Sequence, residues 1–441
     1  MPIEQVRALL VIGLAILSLL IWQAWRQDYG PKPPMTPVTT GEADAPAPSA
    51  PRSADVPDAA SVVEDPDAAP TTAVPPAEAL PASSVVNVRT DVYDADISLK
   101  GGSLARVDLL QYPVSTKHPE QPITLFSSTP PNVLVGQSGL VGKTAAPSHH
   151  EEFVAQAGRY ELGAEQDELE VPLRWTSPDG VVVVKRYTFR RGSYQIKVSF
   201  DIENNSSEDW SGRMYGQFRR AFEEEGGGLF RTYTYTGGVL STPEKPYEKI
   251  DFSDMAKSDL NLTVDGGWIA MIQHYFAGAW VPDQNSTTHY YTKALQNARF
   301  VIGLLTQEKT IAAGAKGTME LGLYIGPKIQ KLMQDVAPNL ERTVDYGWLW
   351  LIAEPLFWLL QWIHGFVGNW GWSIILLTVL IKLAFFHLSA TSYKSMARMR
   401  KVQPRIIAIR ERYSSDKQRM NQAMMELYKK EKINPLGGCF P

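Results

Sequence analysis

Cysteine is almost absent from this chain: Cys439 is the only one in 441 residues. One thiol excludes an intramolecular disulfide, a paired-cysteine redox motif and a cysteine zinc cluster. Aromatic residues are missing altogether from Pro31 to Pro81, a stretch that holds 13 of the 31 prolines among Ala, Ser, Asp and Glu. Such a segment cannot bury enough apolar surface to fold, and it reads as an extended, solvated tether. Positive charge is scarce except at one end. Ser389 to Pro441 carries 12 Lys and Arg against 4 Asp and Glu, so the formal net charge of -4 divides into a basic tail and an acidic body.

What remains has room for one large domain or two ordinary ones, with long apolar runs on either side. The first run is Ala8 to Trp25, ALLVIGLAILSLLIWQAW, with Arg7 ahead of it and no small-x-small cleavage site behind it. It reads as a retained membrane anchor ending in interfacial Trp22 and Trp25, with a cleaved signal peptide as the alternative.

Between Val85 and Ile325 the pattern is β-rich. In Tyr194 to Glu203, Tyr194, Ile196, Val198, Phe200 and Ile202 alternate with polar residues, which gives a strand one apolar and one wet face. Val181 to Arg190 precedes it across Arg191-Gly192-Ser193 and predicts a hairpin. Glycine-rich turns are expected at Gly101-Gly102, Gly226 to Gly228, Gly237-Gly238 and Gly266-Gly267. Length and pattern together suggest a large sandwich.

After Gly326-Pro327 the pattern turns helical. Six tryptophans lie between Trp348 and Trp372, and Leu351, Trp358 and Trp362 share one apolar side while Glu354, Phe357, Gln361 and His364 share another. This two-sided helix is expected to lie along the membrane surface. The alternative is the first half of a helical hairpin that dips into the bilayer, where Glu354 and Pro355 would both be costly.

Trp370 to Leu388 is then a second span of about 20 residues, the length a hydrocarbon core requires. It carries Lys382, which costs about 2.5 to 3.5 kcal/mol at the centre of a membrane helix, offset by neighbours worth about 0.3 to 0.6 each. The basic tail that follows places its C-terminal end in the cytoplasm, hence the N-terminus inside and the acidic β-domain outside. Beyond the span, Met399, Val402, Ile406, Ile409 and Tyr413 recur at three- and four-residue spacing, and Met420, Met424 and Leu427 continue it after a capping box at Ser415 to Gln418. The two helices predict an antiparallel hairpin that Asn434-Pro435 closes.

Four blocks stand out together: Thr343-Val-Asp-Tyr-Gly-Trp-Leu-Trp350, Trp362 to Gly371, the Met-rich basic hairpin and Asn434-Pro-Leu-Gly-Gly-Cys-Phe-Pro441. With Gly266 to Phe276 they closely resemble the Gram-negative YidC membrane-protein insertases. The resemblance implies an inner-membrane protein that helps nascent membrane proteins into the bilayer, alone or beside the Sec translocon, and a periplasmic super-sandwich akin to sugar mutarotases. It also implies a water-filled groove carrying one positive residue. That position falls on Lys382, where most relatives have arginine, and Thr378 matches a polar groove position one helical turn back. Lysine is the more readily neutralised of the two. Against the groove stands a plain alternative, in which Lys382, about 10 Å by helical rise from Ser389, snorkels to the surface. Relatives also continue past the Asn434 block into further membrane helices that wall the groove, so a truncated product, or walls from another polypeptide, is expected here.

The expected fold is therefore a mixed α and β membrane protein: anchor 1–27, Pro/Ala-rich tether 28–84, β-sandwich 85–326, helical connector 327–345, interfacial amphipathic helix 346–368, second span 369–389, cytoplasmic antiparallel hairpin 390–433 and the start of a further membrane segment, 434–441. The hairpin is the expected contact for clients, ribosomes or targeting factors through Met396, Met399, Arg400, Lys401, Arg405, Met420, Met424 and Met425, because flexible thioethers suit varied apolar partners. Its alternative is a solvated coiled coil whose cations fix topology. Lipids are the expected partners of Trp358 and Trp362, and no recognised nucleic-acid fold accompanies the basic tail. An enzyme would have to use His274 or Glu223 to Glu225, which no spacing pairs, so neither catalysis nor a metal or cofactor is expected. A membrane-tethered periplasmic scaffold, or a translocon-binding protein without insertase activity, is the competing reading.

Overall fold

The computed structural model describes residues 56–57, 84–130, 132–221, 235–413 and 416–431. The anchor, most of the tether, Gly226 to Gly228, Glu223 to Glu225, Ser415 and the Asn434 block lie outside the described residues.

Alternation of apolar and polar residues builds two large sheets among the described residues, one of eleven strands and one of nine. The predicted hairpin lies in the nine-stranded sheet: Val181–Arg190 pairs antiparallel with Gln195–Asn204, Ile196 opposite Phe189 and Asn204 opposite Val181. Tyr194, Ile196, Val198, Phe200 and Ile202 are all buried while Gln195 and Lys197 are exposed, so the period-two reading holds, although Ser199 is buried as well. Gly192 turns the chain with φ +66° and donates its N–H to Asp91 Oδ2 at 2.8 Å.

The inner faces of both sheets form one apolar core that includes Trp210, Trp268, Trp280, Tyr93, Phe126 and Phe200. At roughly 25 cal/mol per Å² of apolar surface removed from water, this shared core is what keeps the sheets face to face. Gly266 and Gly267 are required by backbone geometry: φ is +67° and +88°, and a Cβ on Gly267 would lie 2.2 Å from Ser241 O. Gly237 and Gly238 do not form the expected turn. They open the buried strand Gly237–Ser241, where a Cβ on Gly238 would sit 2.5 Å from Ile302 Cδ1, so glycine is required there for close packing. A one-turn helix, α1 (Phe252–Met255), completes this region.

The strand alternation also carries Lys185 into the core. It is fully buried, its Nζ donates to Gly101 O and Ser138 O at 2.9 Å each, and the rings of Tyr187 and Phe200 lie 5.4 Å from it. Burial pushes its amine well below the ordinary lysine range. A lysine with a lowered folded pKa is protonated more readily when unfolded, so it weakens the fold at low pH. Stability must therefore rise with pH until the unfolded amine also deprotonates near about 10.4. Heat unfolding of the purified protein between pH 7.5 and 9.5 should show it gaining up to about 1.4 kcal/mol per pH unit relative to Lys185→Met. Parallel pH profiles for the two proteins would contradict a depressed amine.

Candidate functional site

The strand Lys316–Pro327 leaves the sandwich into a connector that folds back on it. Helix α2 (Gln330–Gln334) and the 3-10 turn Leu340–Thr343 bury Met333, Leu340 and Thr343, and Trp268 Nε1 donates to Pro338 O at 2.8 Å. Asp345 then does two things. Its Oδ1 accepts the N–H of Gly347 at 2.7 Å, turning the chain through a glycine with φ +66°, and its Oδ2 pairs with Lys249 of the sandwich at 2.5 Å. Partial burial works against ionisation, but the hydrogen bonds from Lys249 and Gly347, with the charges of Lys249 and Lys328, hold the carboxyl below its usual range. Lys328 lies close by, its amine pushed by burial to about 8 against the upward pull of Asp345. Tyr346 packs on Phe357 with ring centroids 6.0 Å apart, which links the turn to the next helix.

That helix is α3 (Trp350–Val367). Gly368, in the left-handed conformation, ends it by donating to His364 O at 2.8 Å, and Asn369 caps α4 (Trp370–Ala384) by accepting from Trp372 N at 3.2 Å. The helices meet at this turn, where the rings of His364 and Trp370 stack 3.8 Å apart and Ile363 and Ser373 are buried. Trp358 and Trp362 lie on the opposite side with Leu351 and Phe366, all more than half exposed. An apolar face of this extent is normally covered by lipid or protein.

The second span is not one helix. α4 is 15 residues long, about 22 Å at 1.5 Å per residue, against a hydrocarbon core of about 30 Å. Phe385 breaks it, and α5 (Phe386–Arg412) leaves at 57°. No single described helix is long and apolar enough to cross a bilayer, whereas the bent pair is, by length and composition. Lys382 is consequently in the last turn of α4 rather than mid-helix, the end of a helix that favours a cation. Thr378, one turn earlier, shares its exposed face and returns its hydroxyl to Ile374 O at 2.8 Å. Among the described residues nothing encloses this pair.

In the hairpin, α5 packs on α6 (Lys417–Lys430). The seam is shorter than the spacing predicts: Val402 and Ile406 are buried against Met399, Met424, Leu427 and Tyr428, while Ile409, Tyr413 and Met420 fall outside it. Asp416 caps α6, accepting from Gln418 N at 3.1 Å and Arg419 N at 3.0 Å. The predicted contact residues therefore divide. Met396, Arg400, Lys401 and Met425 face outward, Met399 and Met424 serve the seam, and Arg405 is bound to Glu431 at 2.6 Å. His274 is exposed, in a turn between strands and against Tyr275.

Comparison with known proteins identifies the family. The family described as YidC periplasmic domain matches residues 85–359, and that described as 60Kd inner membrane protein matches 362–441. The membrane protein insertase YidC of Nitrosococcus oceani is 45% identical over 99% of this chain and 79% of its own length, and that of Thioalkalivibrio sulfidiphilus is 46% identical over the same shares. The chain belongs to the YidC insertase family. A galactose mutarotase related enzyme from Lactobacillus acidophilus covers 55% of this chain and 97% of its own at 8% identity and a TM-score of 0.37, too distant to bear on activity. These relatives carry the name membrane protein insertase.

Sequence reading missed Lys249, Lys328 and Trp268 as the residues that hold the connector. The available signal was Asp345 two residues before Gly347, an aspartate placed to accept its own turn's N–H. Partly exposed pairs of this kind contribute about 1 kcal/mol. Asp345→Ala should lower stability in denaturant titration by roughly that amount and by more than Lys249→Ala, because only the aspartate also holds the Gly347 turn. Equal losses would show that the turn bond contributes nothing.

Proposed function

We infer that this inner-membrane protein is a membrane protein insertase, and we propose that Lys382 and Thr378 are its working residues. The observation that carries this reading is a lysine and a threonine one turn apart, exposed on one face of an otherwise apolar helix. Intramembrane charges are expensive enough that they ordinarily mark a pathway. In this reading α4 forms one wall of a hydrated groove, and the ammonium attracts acidic groups on the outer segment of an incoming nascent chain. The cost of moving polar residues part-way across falls accordingly. The bent pair α4 and α5 crosses the membrane over 369–389, α3 lies against lipid through Trp358 and Trp362, the sandwich over 85–326 faces the periplasm, and the hairpin over 390–433 faces the cytoplasm. Ribosomes or targeting factors meet the hairpin at Met396, Arg400, Lys401 and Met425, and the Sec translocon is a partner for part of the work.

Reconstituted into proteoliposomes, the full-length form should drive a short single-span substrate across. Lys382→Ala should reduce insertion several-fold while Lys382→Arg retains it, and equal insertion by all three would remove Lys382 from the mechanism. The double substitution Arg400→Glu with Lys401→Glu should weaken ribosome co-sedimentation at least threefold without changing helix content by circular dichroism. Unchanged sedimentation would limit the hairpin to fixing topology.

A further inference from the structure

Val56 and Pro57 are the residues of the tether described ahead of Ser84. Pro57 is buried, and Lys293 Nζ approaches Val56 O at 3.5 Å, a long contact that is weak taken alone. Lys293 belongs to the strand Thr287–Leu295 of the eleven-stranded sheet. On that strand Tyr290 points into the core, so His289, Tyr291 and Lys293 point outward. An antiparallel sheet commonly leaves its outward face to water. Here that face is closed off: Val301 is 0% exposed, Gln217 0%, Gln137 5% and Tyr291 5%, although none of them is in the apolar core.

Register adds a charge pattern. Val301 pairs with Lys293 on one side and with Arg219 on the other, giving a cation, an apolar residue and a cation in one row across three strands. Strands lie about 4.8 Å apart, so the outer two are separated by roughly 10 Å. The tether around Pro57 reads Asp55-Val56-Pro57-Asp58, acid, apolar, apolar, acid. At about 3.1 Å per residue in an extended proline-containing segment, its carboxylates are about 9 Å apart.

We propose that the tether docks at Val56-Pro57 on the outward face of the eleven-stranded sheet beside Lys293. That face is then a receptor for an extended, acidic, proline-containing peptide, which the chain itself supplies. Docking at Val56-Pro57 divides the tether.

The test uses the full chain with Cys439→Ser and a nitroxide at Val56→Cys. An immobilised spectrum is expected, against a freely tumbling one for a label at Ala45→Cys, and Lys293→Glu should return the label at position 56 to free tumbling. A label at 56 as mobile as that at 45, or one that Lys293→Glu leaves immobilised, would overturn the proposal. A second measurement separates docking from general packing. A fluorescent peptide of residues 50–62 should bind a variant lacking residues 54–58 at least fivefold more tightly than it binds the intact chain. Equal binding to both, or binding to neither, would refute a receptor face.

Discussion

The proposed function requires the Lys382 ammonium to stay in contact with water while the helix that carries it is apolar on nearly every side. The local structure is compatible with that requirement. α4 stops after 15 residues and the chain bends by 57° at Phe385, so the charge lies in a last helical turn, where the helix dipole favours a cation. Thr378 adds a second polar group on the same face. A straight helix of about 20 residues would have placed the lysine farther from the helix end.

The rest of the chain holds this helix in place. Gly368 and Asn369 turn α3 directly into α4, and the stacked rings of His364 and Trp370 fix the corner. Upstream, Asp345 joins the sandwich to that corner through Lys249 on one side and the Gly347 turn on the other, with Tyr346 against Phe357. Trp268 ties the connector to the sandwich core.

Much of the sandwich was legible in the sequence, because strict alternation such as Tyr194 to Ile202 allows one orientation of a strand and no other. The tryptophan-rich helix was legible for a similar reason. Periodicity says nothing of how a charge inside an apolar run is accommodated, and so the run to Leu388 read as one helix when Phe385 breaks it. It overextended the hairpin seam as well: Ile409 and Tyr413 keep the spacing, yet only Val402 and Ile406 are buried. Lys185 was invisible because a lysine in a valine-rich strand reads as an outward residue, and only the phase of the strand carries it inward. Gly237 and Gly238 misread as a turn because glycine serves close packing and tight turns alike.

Water at position 382 is the most direct test. A nitroxide at Lys382→Cys, with Cys439→Ser, in the reconstituted protein reports collisions with a water-soluble nickel chelate and with lipid-soluble oxygen. The account predicts substantial nickel access at 382 and at Thr378→Cys, and oxygen-dominated access at Ile375→Cys. Oxygen-dominated access at all three positions would mean that the charge lies in dry hydrocarbon, and the groove would have no basis.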